Sequence, residues 1–308
     1  MKNKKTLLIT LTLPFFLLNC TGKTTKPSKD STPKNTQHSE QRATTNHRPI
    51  SYTPPPKPTT RPNVQHRETY GESSYNKICK LPHKIRETSG LIKLDNMLWT
   101  LNDSGGKAAL YQIDEHTGRI LKTLTITNAR NKDWEDLAYD DNYLYIGDFG
   151  NNRGKRKDLK IYKIPRAALR RSKSVRAEII HFKYSDQKNF NFKAYKHNFD
   201  CEAMVAHNGK LYLFSKNWED KKTRLYELST NAGKQIARYK STFNTQGMVT
   251  GASLNKELDI LLLTTYSSLL NVNIWAFTNY KRANFFSGNA KNLNFEIPLQ
   301  AQIEGITF

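Results

Sequence analysis

From about residue 87 onward, apolar and polar residues alternate in short runs, and no long stretch repeats with the period of a helix. The runs predict strands, and the strands recur as one four-strand pattern. Each copy opens on an acid followed by small and apolar residues: Glu87-Thr88-Ser89-Gly90-Leu91, Glu135-Asp136-Leu137-Ala138, Glu202-Ala203-Met204-Val205 and Glu304-Gly305-Ile306-Thr307. A second apolar strand follows, at Leu98–Leu101, Leu144–Gly147, Leu211–Phe214 and Leu261–Thr264, and a third carries Leu110-Tyr111, Ile161-Tyr162, Leu225-Tyr226 or Ile274-Trp275. A more polar fourth strand closes the copy, as in Ile120–Leu124 and Glu178–Phe182.

The opening glutamate precedes the third-strand aromatic by 24, 27 and 24 residues in the first three copies. Counting back 24 from Trp275 reaches Gly251, so the fourth copy is expected to lack the acid. Four alternating strands per copy, with turns between and no helices, are what a propeller blade requires. The expected fold is all-β, a β-propeller of five four-stranded blades, with six as the alternative and the last blade incomplete. The early strand Lys77–Leu81 is expected to complete it against the carboxyl end. Glu304 opens a copy whose third-strand aromatic would fall at position 328, beyond Phe308, which makes a truncated reading frame the expectation.

Composition divides the 308 residues into three segments. Lys2, Lys4 and Lys5 precede the apolar run Thr6–Leu18, which has the charge and length of a secretory signal. Residues 21–74, rich in Thr, Pro, Ser and Lys and containing Pro54-Pro55-Pro56-Lys57-Pro58, cannot bury a core and read as a disordered linker. Residues 75–308 carry the repeat and form the propeller domain. The net charge of +22 is spread along the chain, which favours anionic surfaces without selecting one. The short run Arg153, Lys155, Arg156, Lys157 is its densest part and reads first as solvated surface; nucleic acid is not an expected partner.

Two resemblances attach to these residues. Leu17-Leu18-Asn19-Cys20 resembles the lipobox of bacterial lipoproteins, departing at Asn19, where that family has a smaller residue. It implies lipidation of Cys20 with attached acyl chains (palmitate-type) and a membrane tether, and Thr21 in place of an aspartate implies the outer membrane. Residues 84–308 resemble a family of largely uncharacterised bacterial secreted and lipoprotein β-propellers. The resemblance rests on Ser89-Gly90-Leu91, Asn102-Asp103-Ser104-Gly105, the segment Asp133 to Ala138, and Tyr145 to Asn152. More distantly the chain is similar to gluconolactonase-type and phytase-type propellers, some of which hold calcium. Fold carries over from such a likeness; activity does not.

Because the first two strands of a blade are antiparallel, the start of one lies beside the end of the other. That places Glu87, Glu135, Glu202 and Glu304 near Asp103, Asp148 and Lys216 at one mouth of the channel. So many carboxylates need compensation, and Ca²⁺ suits them, with Asn102, Asn151 and Asn152 as further oxygen donors. Glu87, Asp103, Glu135, Asp148, Glu202 and Glu304 are the candidate metal ligands, and Glu135 and Asp148 the candidate catalytic bases. The competing expectation is that each opening carboxylate accepts backbone N–H groups from a neighbouring blade. Lys216 replaces an acid and supplies an internal counter-charge.

No Gly-x-Ser-x-Gly, His-Glu-x-x-His or Walker loop is present. His181, His197 and His207 read as surface residues, and Cys79 and Cys201 as too far apart to bond. The four tryptophans read as core, with sugar stacking the alternative for Trp134 and Trp218. The functional expectation is a monomeric, membrane-tethered module that binds a protein, glycan or small-molecule ligand at the channel mouth. The rival is a calcium-dependent hydrolase of phosphoesters or lactones.

Overall fold

In the computed structural model the described residues are 7–10, 67–70, 76–267, 272–295 and 302–308, and all belong to one contact unit. Cys20, the rest of the signal segment and most of the linker lie outside them. The strand runs fold into four antiparallel four-stranded units, the second and third joined at their fourth strands by a parallel pairing of Ile180–Tyr184 with Gly233–Ala237. The first blade is Thr88–Leu94, Met97–Asn102, Ala109–Ile113 and Ile120–Ile126; the second is Trp134–Tyr139, Tyr143–Asp148, Lys160–Pro165 and Glu178–Tyr184. The third is Asp200–His207, Lys210–Lys216, Thr223–Ser229 and Gly233–Phe243; the fourth is Met248–Asn255, Ile260–Tyr266, Val272–Thr278 and Asn289–Phe295. Tight hairpins join the first two strands where backbone can turn through positive φ, as at Asp95-Asn96 and Asn208-Gly209.

Burial explains why these sheets stand on edge. Second strands such as Met97–Asn102 are buried on both faces through their middle, whereas fourth strands such as Glu178–Tyr184 alternate buried and exposed residues. Successive residues of one strand therefore serve two cores. Leu144 and Ile146 pack with Trp99, Leu101 and Leu110 of the first blade, while Tyr145 between them packs with Leu211 and Leu213 of the third. Tyr212 and Phe214 in turn join Trp275 and Phe277 of the fourth. These three cores lie between two blades, which is propeller packing, whereas Leu91, Leu98 and Tyr111 on the other face of the first blade are covered by Leu81 and Ile85 of the segment before it.

The inner strands of all four blades line one narrow central cavity of about 30 Å³, floored by Leu91, Leu137, Met204, Ala252 and Thr307. Thr307 belongs to the segment 302–308, which fills a fifth position. The Thr250 hydroxyl donates to the Ile303 carbonyl on one side, and the Lys93 amide donates to Thr307 Oγ1 on the other at 2.9 Å. Five inner segments thus close the ring, and a sixth has no place in it. Close approach makes glycine necessary at Gly90: a Cβ there would stand 2.7 Å from the Leu137 amide nitrogen and 2.8 Å from Asp136 backbone. Gly90→Ala is accordingly expected to cost about 1–3 kcal/mol, read as a lowered urea midpoint; an unshifted midpoint would show that the two blades do not meet there.

The early strand is a correction. Asn76–Lys80 pairs antiparallel with Leu7–Thr10, not with the carboxyl end. Arg67–Tyr70, placed in the linker by composition, instead pairs in parallel with Asn289–Phe295 at the outer edge of the fourth blade. Both pairings satisfy edge groups that strand alternation alone does not specify.

Candidate functional site

The pairing register sets the site. The inner strand of each blade carries one extra residue at the same place: pairing jumps between Trp134 and Asp136, Cys201 and Ala203, Val249 and Gly251, and Thr88 and Leu91. Glu135, Glu202 and Thr250 are therefore bulged residues without a cross-strand partner, aimed off the ladder. In this register Glu87 corresponds to Asp133 and Asp200, two positions before the bulge, and Asp148 corresponds to Asn102 and Ser215.

Three carboxylates come together. Oxygen atoms of Asp103, Asp133 and Glu135 all lie within 4.8 Å of one another. Gly150 makes room for them, since a Cβ there would stand 2.0 Å from Glu135 Oε1 and 2.6 Å from Asp133 Oδ2. Glu135 is 4% exposed, and its carboxylate accepts no hydrogen bond from any described residue. Nearby, two more buried oxygens have no donor among the described residues: Asp148 Oδ2 and Asn102 Oδ1. A buried carboxylate ordinarily has several donors, so this mouth is short of positive charge.

Four other acids have named partners. Asp136, beside Glu135, accepts the Leu137 amide at 2.8 Å and, from the next blade, the Met204 amide at 2.7 Å. Asp200 accepts the Asn151 amide at 2.5 Å, the Cys201 amide at 3.1 Å and Trp218 Nε1 at 2.7 Å. Glu202 is paired with Lys216 at 2.6 Å, and Lys216 lies over the Trp218 and Tyr266 rings at 4.7 and 5.2 Å. Asp148 Oδ1 is held by Arg156 Nη2 at 2.8 Å, while Arg156 Nη1 reaches the Gly150 carbonyl at 2.8 Å. Glu304 is half-buried and close enough to Glu202 to raise its pKa, and Glu87 is exposed. Asn151 is spent on backbone contacts with Phe199 and Arg156. The carboxylates thus divide by surroundings: Asp136 and Asp200 accept donors from a neighbouring blade, Glu202 and Asp148 have cations of their own blade, and Asp103, Asp133 and Glu135 face one another.

Of the expected residues, Asp103 and Glu135 fall in the trio. Asp133 was not singled out by the sequence, although two residues before Glu135 in extended chain is the same-face spacing that would have found it. Arg156 comes from the loop after Asp148 and carried no signal beyond its charge. His197 is a correction: it is 1% exposed, with Nδ1 accepting the Phe199 amide and Nε2 against the Asn152 carbonyl. Trp134 is fully buried and has no face for a sugar, whereas Trp218 is half-exposed. Cys79 and Cys201 are free thiols.

Burial first, then Asp103 and Asp200, push the Asp133 carboxyl up to about 7, and burial with Glu202 and Asp103 raises that of Glu135 well above its usual range. An acid whose folded pKa exceeds its unfolded value stabilises fully below the unfolded value, and the contribution is lost as pH rises through the folded one. For Asp133 that window runs from the ordinary aspartate range to about 7. In metal-free protein, Asp133→Asn is therefore expected to leave the melting temperature unchanged near pH 4 and to raise it by several degrees at pH 8. A difference independent of pH would remove the titration from Asp133.

The fold and site define a propeller-type all-β protein with three carboxylates converging at one end of its inner strands. No family model matches the chain, and no curated protein matches it. Among solved structures it is similar to a mitotic checkpoint complex chain (15% identity, 70% of this chain and 56% of that one, TM-score 0.33). It is also similar to a β-xylosidase, RS223 (11%, 77% and 81%, TM-score 0.44), and to a protein titled as a candidate 6-phosphogluconolactonase from Bacteroides uniformis (11%, 72% and 59%, TM-score 0.35).

Proposed function

We propose that the chain is an envelope lipoprotein, lipidated at Cys20, whose propeller binds a calcium ion at the channel mouth through Asp103, Asp133 and Glu135 and uses that mouth to bind a ligand. The observation that carries the reading is the convergence of three carboxylates, one of them buried with no donor among the described residues. The donors are all hard oxygens, which suits calcium or magnesium over softer metals. Calcium takes oxygens at about 2.3–2.6 Å, so oxygens within 4.8 Å of one another fit inside its coordination shell; its looser, higher-coordinate geometry asks less of a site than the near-ideal octahedron of magnesium. The lipid anchor rests on Leu17–Cys20 and the resemblance of residues 84–308 to secreted bacterial propellers.

Isothermal titration of the metal-free protein with calcium and with magnesium tests the site. One calcium per chain, with magnesium weaker, is the expected result, and Asp103→Asn is expected to weaken calcium at least about tenfold by removing one of three charged ligands. No calcium uptake in the wild type overturns the reading. A second reading, calcium-dependent hydrolysis of a phosphoester or lactone, is favoured by the same convergence of carboxylates, which would hold the ion as a Lewis acid. Turnover of a phosphoester or lactone that depends on calcium would move the assignment to it.

A further inference from the structure

We propose that the cleft beside the trio is the ligand site, and that it takes a phosphomonoester carried on a ring. The proposal deepens the calcium reading, because Asp133 lines both places, but it stands on other residues. The cleft has a volume of about 640 Å³ and is walled by Lys132, Arg153, Lys155, Lys157 and Tyr195.

Its cations separate by what already holds them. Lys132 is bonded to both oxygens of Asp158, at 3.1 and 2.9 Å, and Arg156 is bound to Asp148, Asp158 and the Gly150 carbonyl. Arg153 and Lys155 have no anionic partner among the described residues, and Lys157 has the Phe190 ring at 5.1 Å. Three formal charges therefore face a concave space without compensation. A solvated basic loop would be the plain explanation if the loop were loose, but it is fastened at Asn151, Asn152, Gly154 and Arg156, the residues that alternate with its cations. Gly154 turns at φ 66°, its amide bonds to the Asn151 carbonyl at 2.7 Å, and its own carbonyl accepts Gln187 Nε2 at 3.1 Å. The Arg156 amide bonds to Asn151 Oδ1 at 2.9 Å, and the Asn152 carbonyl takes both the Tyr195 amide and His197. Cations held on a fixed loop bind an anion with less ordering cost than the same charges on a mobile one.

Tyr195 supplies the ring contact. Its backbone sits at φ 60°, in the left-handed region that a bulky residue rarely adopts, and its side chain is 55% exposed while resting edge-on against Trp218 at 4.7 Å. A large aromatic held outward beside Arg153, Lys155 and Lys157 is a platform for a ring that carries a charged group. A dianionic phosphoryl group matches the excess charge better than a monoanionic carboxylate. Its proximity to Asp133 also makes the two sites cooperative: calcium bound there removes a repulsion, and the linkage is reciprocal.

The experiment is calorimetric titration of the wild type with glucose 6-phosphate and adenosine monophosphate, each with its unphosphorylated parent as control, in metal-free and calcium-loaded protein. Both esters are expected to bind, the parents not, with calcium strengthening the esters. In Arg153→Ala/Lys155→Ala ester affinity is expected to fall at least about tenfold while the calcium titration is unchanged. Tyr195→Ala is expected to weaken adenosine monophosphate more than glucose 6-phosphate, and a wild-type preference for one ester identifies the ring it accepts. Equal binding of ester and parent, absence of ester binding in both metal states, or undiminished binding by the double variant overturns the proposal. Ester binding without calcium uptake overturns the calcium reading alone.

Discussion

Replacing Glu135 by glutamine is expected to make the metal-free protein more stable and to abolish its stabilisation by calcium. The carboxylate is 4% exposed, accepts no hydrogen bond from a described residue, and is crowded by Asp103, Asp133, Asp200 and Glu202. Glutamine keeps the shape and removes the charge, so the variant escapes a desolvation penalty that in proteins amounts to several kcal/mol per buried ion, about 1–3 kcal/mol of it recoverable here. In the wild type, calcium at about 100 times its dissociation constant adds roughly 2.7 kcal/mol, or some 5–10 °C for a domain of this size. The variant's melting curve is expected to be indifferent to calcium. If the glutamine protein still gained several degrees, the trio would not be the calcium site; if it lost stability without metal, Glu135 would have a donor that the structure does not show.

The second large effect is opposite in sign and lies about the same mouth. Lys216→Met is expected to destabilise the protein by about 3–5 kcal/mol, a fall of roughly 10 °C or more in melting temperature. Both partners of the Lys216–Glu202 pair are nearly sealed, at 5% and 6% side-chain exposure, and Lys216 also loses its seat over Trp218 and Tyr266. Burial opposes the charge on Lys216, but Glu202 raises its pKa, so the ammonium form persists. Removing it leaves Glu202 buried among Asp200 and Glu304 with no counter-charge. Lys216→Met/Glu202→Gln is expected to recover most of the loss, since no buried charge is then orphaned, and to keep its response to calcium. A double variant as unstable as the single one would assign the effect to packing.

Taken together, the two substitutions separate glutamates that occupy the same bulged position in successive blades. Glu202 is neutralised by a lysine on its own second strand, and Glu135 is not. The equivalent place in the fourth blade is held by Thr250, whose hydroxyl binds the Ile303 carbonyl and needs no charge. Repetition of an acid along the chain therefore does not mean repetition of its partners.

Strand alternation, the four-strand period and the apolar second strands were enough to establish an all-β fold with blades, because burial between two neighbours imprints a local pattern on each strand. The same pattern placed Asp103 and Glu135 at one mouth, since antiparallel pairing fixes which strand ends adjoin. Which carboxylates share that mouth, and which are neutralised, was decided only by tertiary structure. One extra residue in each inner strand changes which side chain leaves the ladder, moves Glu87 into correspondence with Asp133, and is invisible to counting by twos. The neutralising partners, Arg156 for Asp148 and the Met204 amide for Asp136, arrive from a loop and from another blade. Electrostatic compensation depends on distances of a few ångströms between segments far apart in the chain, and no local periodicity records them.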